Sequence, residues 1–310
     1  MAAGIGNAKE EMNPRAQIRL LPDGKRLHLN DGPIDLIVEA FGPASEIQAA
    51  YQAASARFVS VLDELCSELS YLRSPCSPEN LWPQGAVARR MTAAVMPYAS
   101  EHFITPMAAV AGAVAEEILS AMLRSARFDR AYVNDGGDIA LHLGEDEEFT
   151  IGMVERPDRP SLLGTATITT ADPVRGIATS GWRGRSFSRG IADAVTVLAD
   201  RAAAADAAAT IIADAVDLPG HAAVTRVPAC ELAPDSDLGD RLVTQHVGPL
   251  NSREKADALD AGMQMTHTLM RLGLIRSAAI SLQGVTIIVR EVDAARIAQH
   301  KEQERILLHA

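Results

Sequence analysis

The sequence predicts an α+β fold, and three observations carry that prediction. Apolar residues recur at helical spacing from Glu46 to about Leu72, short strand-like runs follow one another closely between Arg130 and Thr179, and the Ala-rich helix Ala202–Val216 begins straight after a further strand. At 310 residues the chain is long enough for a substantial core. No linker is long enough to divide it, so one compact unit spanning residues 1–310 is expected.

The elements are read in order. Ala16–Leu21, the turn Pro22-Asp23-Gly24-Lys25 and Arg26–Leu29 form a hairpin, because Pro and Gly supply turn dihedrals. Ile34–Ala40 is a strand. The run Ile47, Tyr51, Ala54, Phe58, Val61, Leu62, Leu65, Leu69 makes a long amphipathic helix, stopped by Ser74-Pro75 and Ser77-Pro78. Val87–Met96 is a short helix interrupted by Pro97, and Ala108–Leu123 is a nearly all-apolar helix rich in small residues that allow close approach. Strands follow at Arg130–Val133, Ile139–Leu143, Phe149–Val154, Gly164–Thr170, Ile177–Thr179 and Ala194–Leu198. Leu218-Pro219-Gly220 ends the Ala-rich helix, and a Pro- and Asp-rich connection leads to a helix capped by Ser252 and ended at Gly273. A hairpin turning at Gln283-Gly284 and a helical tail over Ala294–Leu308 close the chain. No repeat of 20 to 50 residues is evident.

Charge narrows the function. With 29 Lys and Arg against 40 Asp and Glu, the net charge of −11 repels polyanions, so nucleic acid is not an expected partner. Cys66, Cys76 and Cys230 lack the pairing of a zinc or redox site and read as reduced. The N-terminal residues do not have the pattern of a signal peptide, and the most apolar windows, Met107–Val114 and Ala202–Val216, are shorter than a membrane span. A cytoplasmic protein without membrane association is expected, its oligomeric state left open.

Three stretches stand apart from generic core. Tyr132 to Ala140 contains Asn134-Asp135-Gly136-Gly137-Asp138, where paired glycines let backbone N–H groups approach a ligand, although any tight hairpin uses the same residues. Gly176 to Arg185 ends a strand in Thr179-Ser180-Gly181 and adds Trp182, Arg183 and Arg185: hydroxyls, free amides and guanidinium groups suited to phosphate, or simply a solvated loop. Asp206 and Thr210 stand one helical turn apart on the same face, two hard oxygen donors suited to Mg²⁺, while Asp206 also suits the first turns of a helix.

In order and spacing these stretches resemble a known family. Ile104 to Glu116, Val-Asn-x-Gly-Gly-Asp at 133–138, Ala-Thr-Ser-Gly at 178–181, Ala-Val-Thr-Val at 194–197 and Ala-Asp-x-x-x-Thr at 205–210 are together similar to the ApbE family of FAD:protein FMN transferases, over roughly Ile104 to Val216. The resemblance implies a flavin-transferase-like, T-fold-like repeated sheet with packed helices. It implies that Asp206 and Thr210 are Mg²⁺ ligands, and that Asn134, Gly136, Gly137, Asp138, Thr179, Ser180 and Gly181 bind FAD or another flavin or nucleotide. Glu116 stands where the family has an Asp that contacts the nucleotide.

The departures matter equally. Ala111-Gly112 replaces a Lys-Gly pair, and Phe187-Ser188-Arg189-Gly190-Ile191-Ala192-Asp193 stands where the family has a His-containing segment; a serine does not act as a base near neutral pH. The chain therefore resembles an uncharacterised branch of ApbE-like proteins, divergent at the catalytic centre. The expectation is a flavin-, pterin- or nucleotide-like phosphorylated ligand bound with Mg²⁺, with FAD:protein FMN transfer, FAD pyrophosphate hydrolysis and a non-catalytic interaction protein as the alternatives.

Overall fold

A computed structural model describes residues 15–154 and 162–290. Strands β1 (Gln17–Leu20), β2 (Leu27–Asp31) and β3 (Ile34–Phe41) precede helices α1 (Ala44–Ser67), α2 (Leu69–Leu72), α3 (Ala86–Val95) and α4 (Val110–Ser125), and β4 (Arg130–Asp135) and β5 (Asp138–Leu143) come next. A ribbon of β6 (Glu148–Val154) and β7 (Leu162–Thr169) leads to β8 (Gly176–Ser180), β9 (Ala194–Ala199) and α5 (Ala202–Ala215). The chain continues through β10 (Val224–Pro228), α6 (Ala229–Leu232), β11 (Leu242–Val247), α7 (Ser252–Arg271), β12 (Ser277–Leu282) and β13 (Val285–Arg290). The anticipated tail helix Ala294–Leu308 lies outside the described residues.

Nine strands form one antiparallel sheet in the order β1-β2-β3-β4-β5-β8-β9-β12-β13. Its plan repeats: β2 and β3, helices, then β4 and β5 make one half, and β8 and β9, helices, then β12 and β13 make the other. The halves meet between β5 and β8, in a short ladder with the rungs Ile139↔Ile177 and Ala140↔Gly176. Side chains alternate across the sheet, so Leu27, Leu29, Ile34, Leu36 and Val38 face the helices. There they meet a core that includes Phe58, Met91, Ile118, Met122, Ile212 and Leu259. The β6–β7 ribbon supplies Ile168 to a smaller cluster with Leu141, Leu143, Val174 and Ile177 on the opposite face.

Several local expectations change. The long first helix breaks at Glu68, whose carboxylate accepts the Gln84 and Gly85 amides at 2.6 and 2.9 Å and so caps the start of α3. Helix α7 is capped by Asn251 rather than Ser252: Asn251 Oδ1 accepts from the Arg253 and Glu254 amides, and Glu254 accepts the Asn251 amide. The Pro- and Asp-rich connection holds the antiparallel β10–β11 pair. Pro106–Ser125 forms a continuous helical stretch of 20 residues with mean hydropathy 1.4, long and apolar enough for a membrane by composition, but 67% of it is buried in the core.

Candidate functional site at the junction of the two halves

Helices α4 and α5, one from each half, cross at Gly112. A Cβ on Gly112 would lie 2.4 Å from the Ala202 carbonyl oxygen and 2.7 Å from the Ala203 nitrogen, so the two backbones are in direct contact. Neither helix caps its own start with a side chain. Each borrows a carboxylate from the other: Asp206 accepts the Gly112 amide at 3.0 Å and also the Ala111 amide, while Glu116 accepts the Ala203 amide at 2.8 Å. The small residues of the apolar helix make this crossing feasible.

Asp206 then stands opposite two carboxylates at the β4–β5 turn. That turn is the two-residue Gly136-Gly137 loop between Asp135 and Asp138, with φ of 64° and 118°, and Asn134 Oδ1 accepts the Gly137 amide at 2.8 Å. Asp138 Oδ1 accepts the Thr179 amide at 3.0 Å, so this side chain bridges β5 and β8 just where their ladder ends. Asp135 accepts the Asp35 amide. Burial raises the proton affinities: Asp138 is pushed up to about 7 by burial, Asp135 to about 7 by burial and then the Asp138 charge, and Asp206 lies well above the carboxylate range through burial and the Asp138 charge. Arg185 lies over Gly136, its Nη1 2.9 Å from where a Cβ would be, and draws the Asp135 proton affinity back down.

Thr179 also shares a hydrogen bond with the Thr196 hydroxyl at 2.9 Å, and Ser180 ends β8 opposite Val195. Gly181 has φ 147° and no room for a side chain, since a Cβ would sit 2.6 Å from the Asp193 carbonyl oxygen. On α5, Asp206 and Thr210 are both less buried than Ala205, Ala207, Ala208 and Ala209 around them. Asn134, Gly136, Gly137, Asp138, Thr179 and Asp206 thus belong to one neighbourhood, to which Asp135 and the Ala111 and Gly112 amides are added. Sequence reading passed over Asp135 because an Asp before Gly-Gly is what a turn requires.

Glu116 is otherwise engaged. It is buried and bonded to Arg90 at 3.1 Å and Arg201 at 2.9 Å besides the Ala203 amide. Ser188 is buried too: its hydroxyl donates to Asp214 at 3.2 Å and accepts the Gly190 amide at 3.2 Å. Gly190 lies so close to α5 that a Cβ would be 1.9 Å from the Ala213 carbonyl oxygen. The 188–190 segment is therefore a strut against α5. Trp182 packs against the main core with the Arg183 guanidinium 4.3 Å above its ring.

The donor set has the hard oxygens that Mg²⁺ prefers and a surplus of negative charge for it to offset. Among the described residues no three His, Cys, Asp or Glu side chains are arranged to hold a metal by themselves. The residues fit an ion that completes its shell with phosphate oxygens and water.

Residues 18–288 match the family model described as AbpE bacteria, and the chain belongs to that family. Among curated relatives, the UPF0280 protein MK0206 of Methanopyrus kandleri is 39% identical over 127 residues, 41% of this chain and 47% of the relative. A UPF0280 protein of Methanothrix thermoacetophila is 38% identical over 122 residues, 39% of this chain and 50% of the relative. The chain matches about half the length of these relatives. Among solved structures, a mutant of the flavin transferase ApbE from Vibrio cholerae aligns at 12% identity with a TM-score of 0.44, covering 89% of this chain and 96% of that one. The ApbE protein of Thermotoga maritima aligns at 14% identity with a TM-score of 0.43, covering 91% and 98%.

Proposed function

We propose that this protein binds a flavin-, pterin- or nucleotide-like phosphorylated small molecule together with Mg²⁺ in the cytoplasm. One observation carries the reading: carboxylates from the β4–β5 turn and from α5 face each other beside helix-start amides. Such an acid cluster is relieved by a divalent cation, and the adjoining amides and Arg185 favour phosphate. Asp206 and Thr210 are the residues that would hold the ion, whose chemistry is to offset phosphate charge. Asp138 fixes the strand end by holding the Thr179 amide, Asn134 fixes the Gly136-Gly137 turn, and Ser180 and Gly181 border the ligand. Glu116 acts at one remove, by holding the start of α5. FAD is the ligand to test first, since the motifs between Ile104 and Val216 resemble those of FAD:protein FMN transferases.

Calorimetric titration with FAD tests this reading, using wild type and Asp206→Ala, each with Mg²⁺ and with a chelator. The substitution should weaken binding about ten-fold or more when Mg²⁺ is present and change little under chelation. Equal affinities in all four titrations would remove the metal.

Transfer of flavin to a protein hydroxyl is not expected at a useful rate. General-base assistance is worth roughly two to four orders of magnitude, and the Ser188 hydroxyl is both too weak a base and engaged with Asp214. An acceptor domain incubated with FAD and Mg²⁺ should show no covalent fluorescent band in a denaturing gel; a bright band would restore the transferase reading.

A further inference from the structure

A cleft of about 550 Å³ opens just beyond Gly181, lined by Arg183, Asp193, His246, Gly248, Gln283 and Gly284. Its size is that of a small-molecule site. Its walls are held firmly. Asp193, itself buried, accepts Arg183 Nε on one oxygen and the Gln283 amide on the other, each at 2.6 Å. The Gln283 side chain donates to the Gly248 carbonyl at 2.8 Å and accepts the Leu250 amide at 3.0 Å. Gln283 is a non-glycine residue at φ 44°, a conformation that these bonds keep in place. The Arg183 guanidinium, paired with Asp193 and stacked on Trp182, gives the cleft a planar side, and His246 on β11 is exposed at its edge.

The cleft adjoins the acid cluster. Thr179, whose amide holds Asp138, lies in β8, and Gly181, which abuts the Asp193 carbonyl, follows just past its end, so the two are two residues apart and at most about 7 Å. A ligand whose phosphate lies by Asp138 and Asp206 can therefore reach the cleft with its other end. A planar guanidinium backed by an indole favours an aromatic ring, and an imidazole can donate to or accept from ring heteroatoms.

We propose that this cleft is the ring subsite of the phosphorylated ligand, and that His246 is the residue that hydrogen-bonds the edge of the ring. The inference rests on the proposed function above, and it adds His246, Gly248 and Gln283, which lie beyond the stretches the sequence motifs cover. His246 comes from β11, paired with β10 at Thr225.

The test is titration in Mg²⁺ of wild type, His246→Ala, His246→Gln and Asp206→Ala with two probes: FAD, which carries rings, and inorganic pyrophosphate, which carries none. His246→Ala should weaken FAD about ten-fold and leave pyrophosphate unchanged, and His246→Gln, which still hydrogen-bonds, should recover part of the loss. Asp206→Ala should weaken both probes. His246 is exposed, so its variants are expected to fold, and unchanged melting temperatures would confirm that. If both His246 variants bind FAD like wild type while Asp206→Ala does not, the ring subsite is wrong and the phosphate site stands. If wild type binds neither probe, both readings fail.

Discussion

Freed of divalent cations, the protein should melt several degrees lower at about pH 8 than at about pH 5.5, and added Mg²⁺ should restore most of the loss at the higher pH while doing little at the lower. The sign follows from the acid cluster. Asp135 and Asp138 are pushed up to about 7 in the folded protein, by burial first and, for Asp135, by the Asp138 charge next. Between roughly pH 4 and pH 7 the folded state keeps protons that the unfolded chain has lost, so stability is fully present below that window and is lost as pH rises through it. Asp206 extends the window upward. Two other sets of groups act differently. Burial lowers His142, which adds stability as pH rises through its own range, while Asp23, held at about 2, and the lowered Glu64 and Glu254 act only below about pH 4.5. The cation arm separates them, because Mg²⁺ competes with protons only at the carboxylates. A melting temperature indifferent to Mg²⁺ at both pH values would break the link between the acid cluster and a metal.

Much of the sheet was legible because its strands carry alternating apolar residues bounded by turn residues. Ile34, Leu36 and Val38 point to the helices, and Asp135-Gly136-Gly137-Asp138 allows little but a hairpin. The β10–β11 pair was not legible: Val224–Pro228 ends in a proline, Leu242–Val247 carries Thr, Gln and His, and the two strands pair only with each other. The duplication of the plan could be anticipated only through the family resemblance, since it is a repeat of element order and not of residues. In the candidate site, the spacing of Asp206 and Thr210 and the Gly-Gly turn could be read as motifs, but that Asp206 faces Asp135 and Asp138 could not. The engagement of Glu116 could not be read, because its partners Arg90 and Arg201 are 26 and 85 residues away in sequence. The same holds for the cleft around Asp193 and Gln283, which are 90 residues apart. Short-range pattern gives elements and turns; which carboxylate meets which amide is decided by the crossing of α4 and α5.

That crossing leaves no room for a side chain at position 112. Gly112→Ala should destabilise the protein by about 3 kcal/mol or more, above the usual 1–3 kcal/mol of an overpacked site. The added Cβ would meet the carbonyl group of Ala202 and the nitrogen of Ala203, all backbone atoms of the first turn of α5, so no side-chain end can swing aside. Relief requires the helices to part. Parting lengthens both borrowed caps, Asp206 to the Gly112 amide and Glu116 to the Ala203 amide, each worth about 1 kcal/mol as a helix cap. Glu116→Gln is the informative comparison, because an amide oxygen can still accept from Ala203 while the charge facing Arg90 and Arg201 is removed. It should cost less than Gly112→Ala and leave the Mg²⁺ response of the melting temperature in place, whereas Gly112→Ala, by withdrawing Asp206 from its amides, should reduce that response. Denaturant unfolding of the two variants, followed with and without Mg²⁺, reads both effects. A Gly112→Ala protein as stable as wild type would mean that the helices do not touch as closely as described, and the common footing of fold and site would go with it.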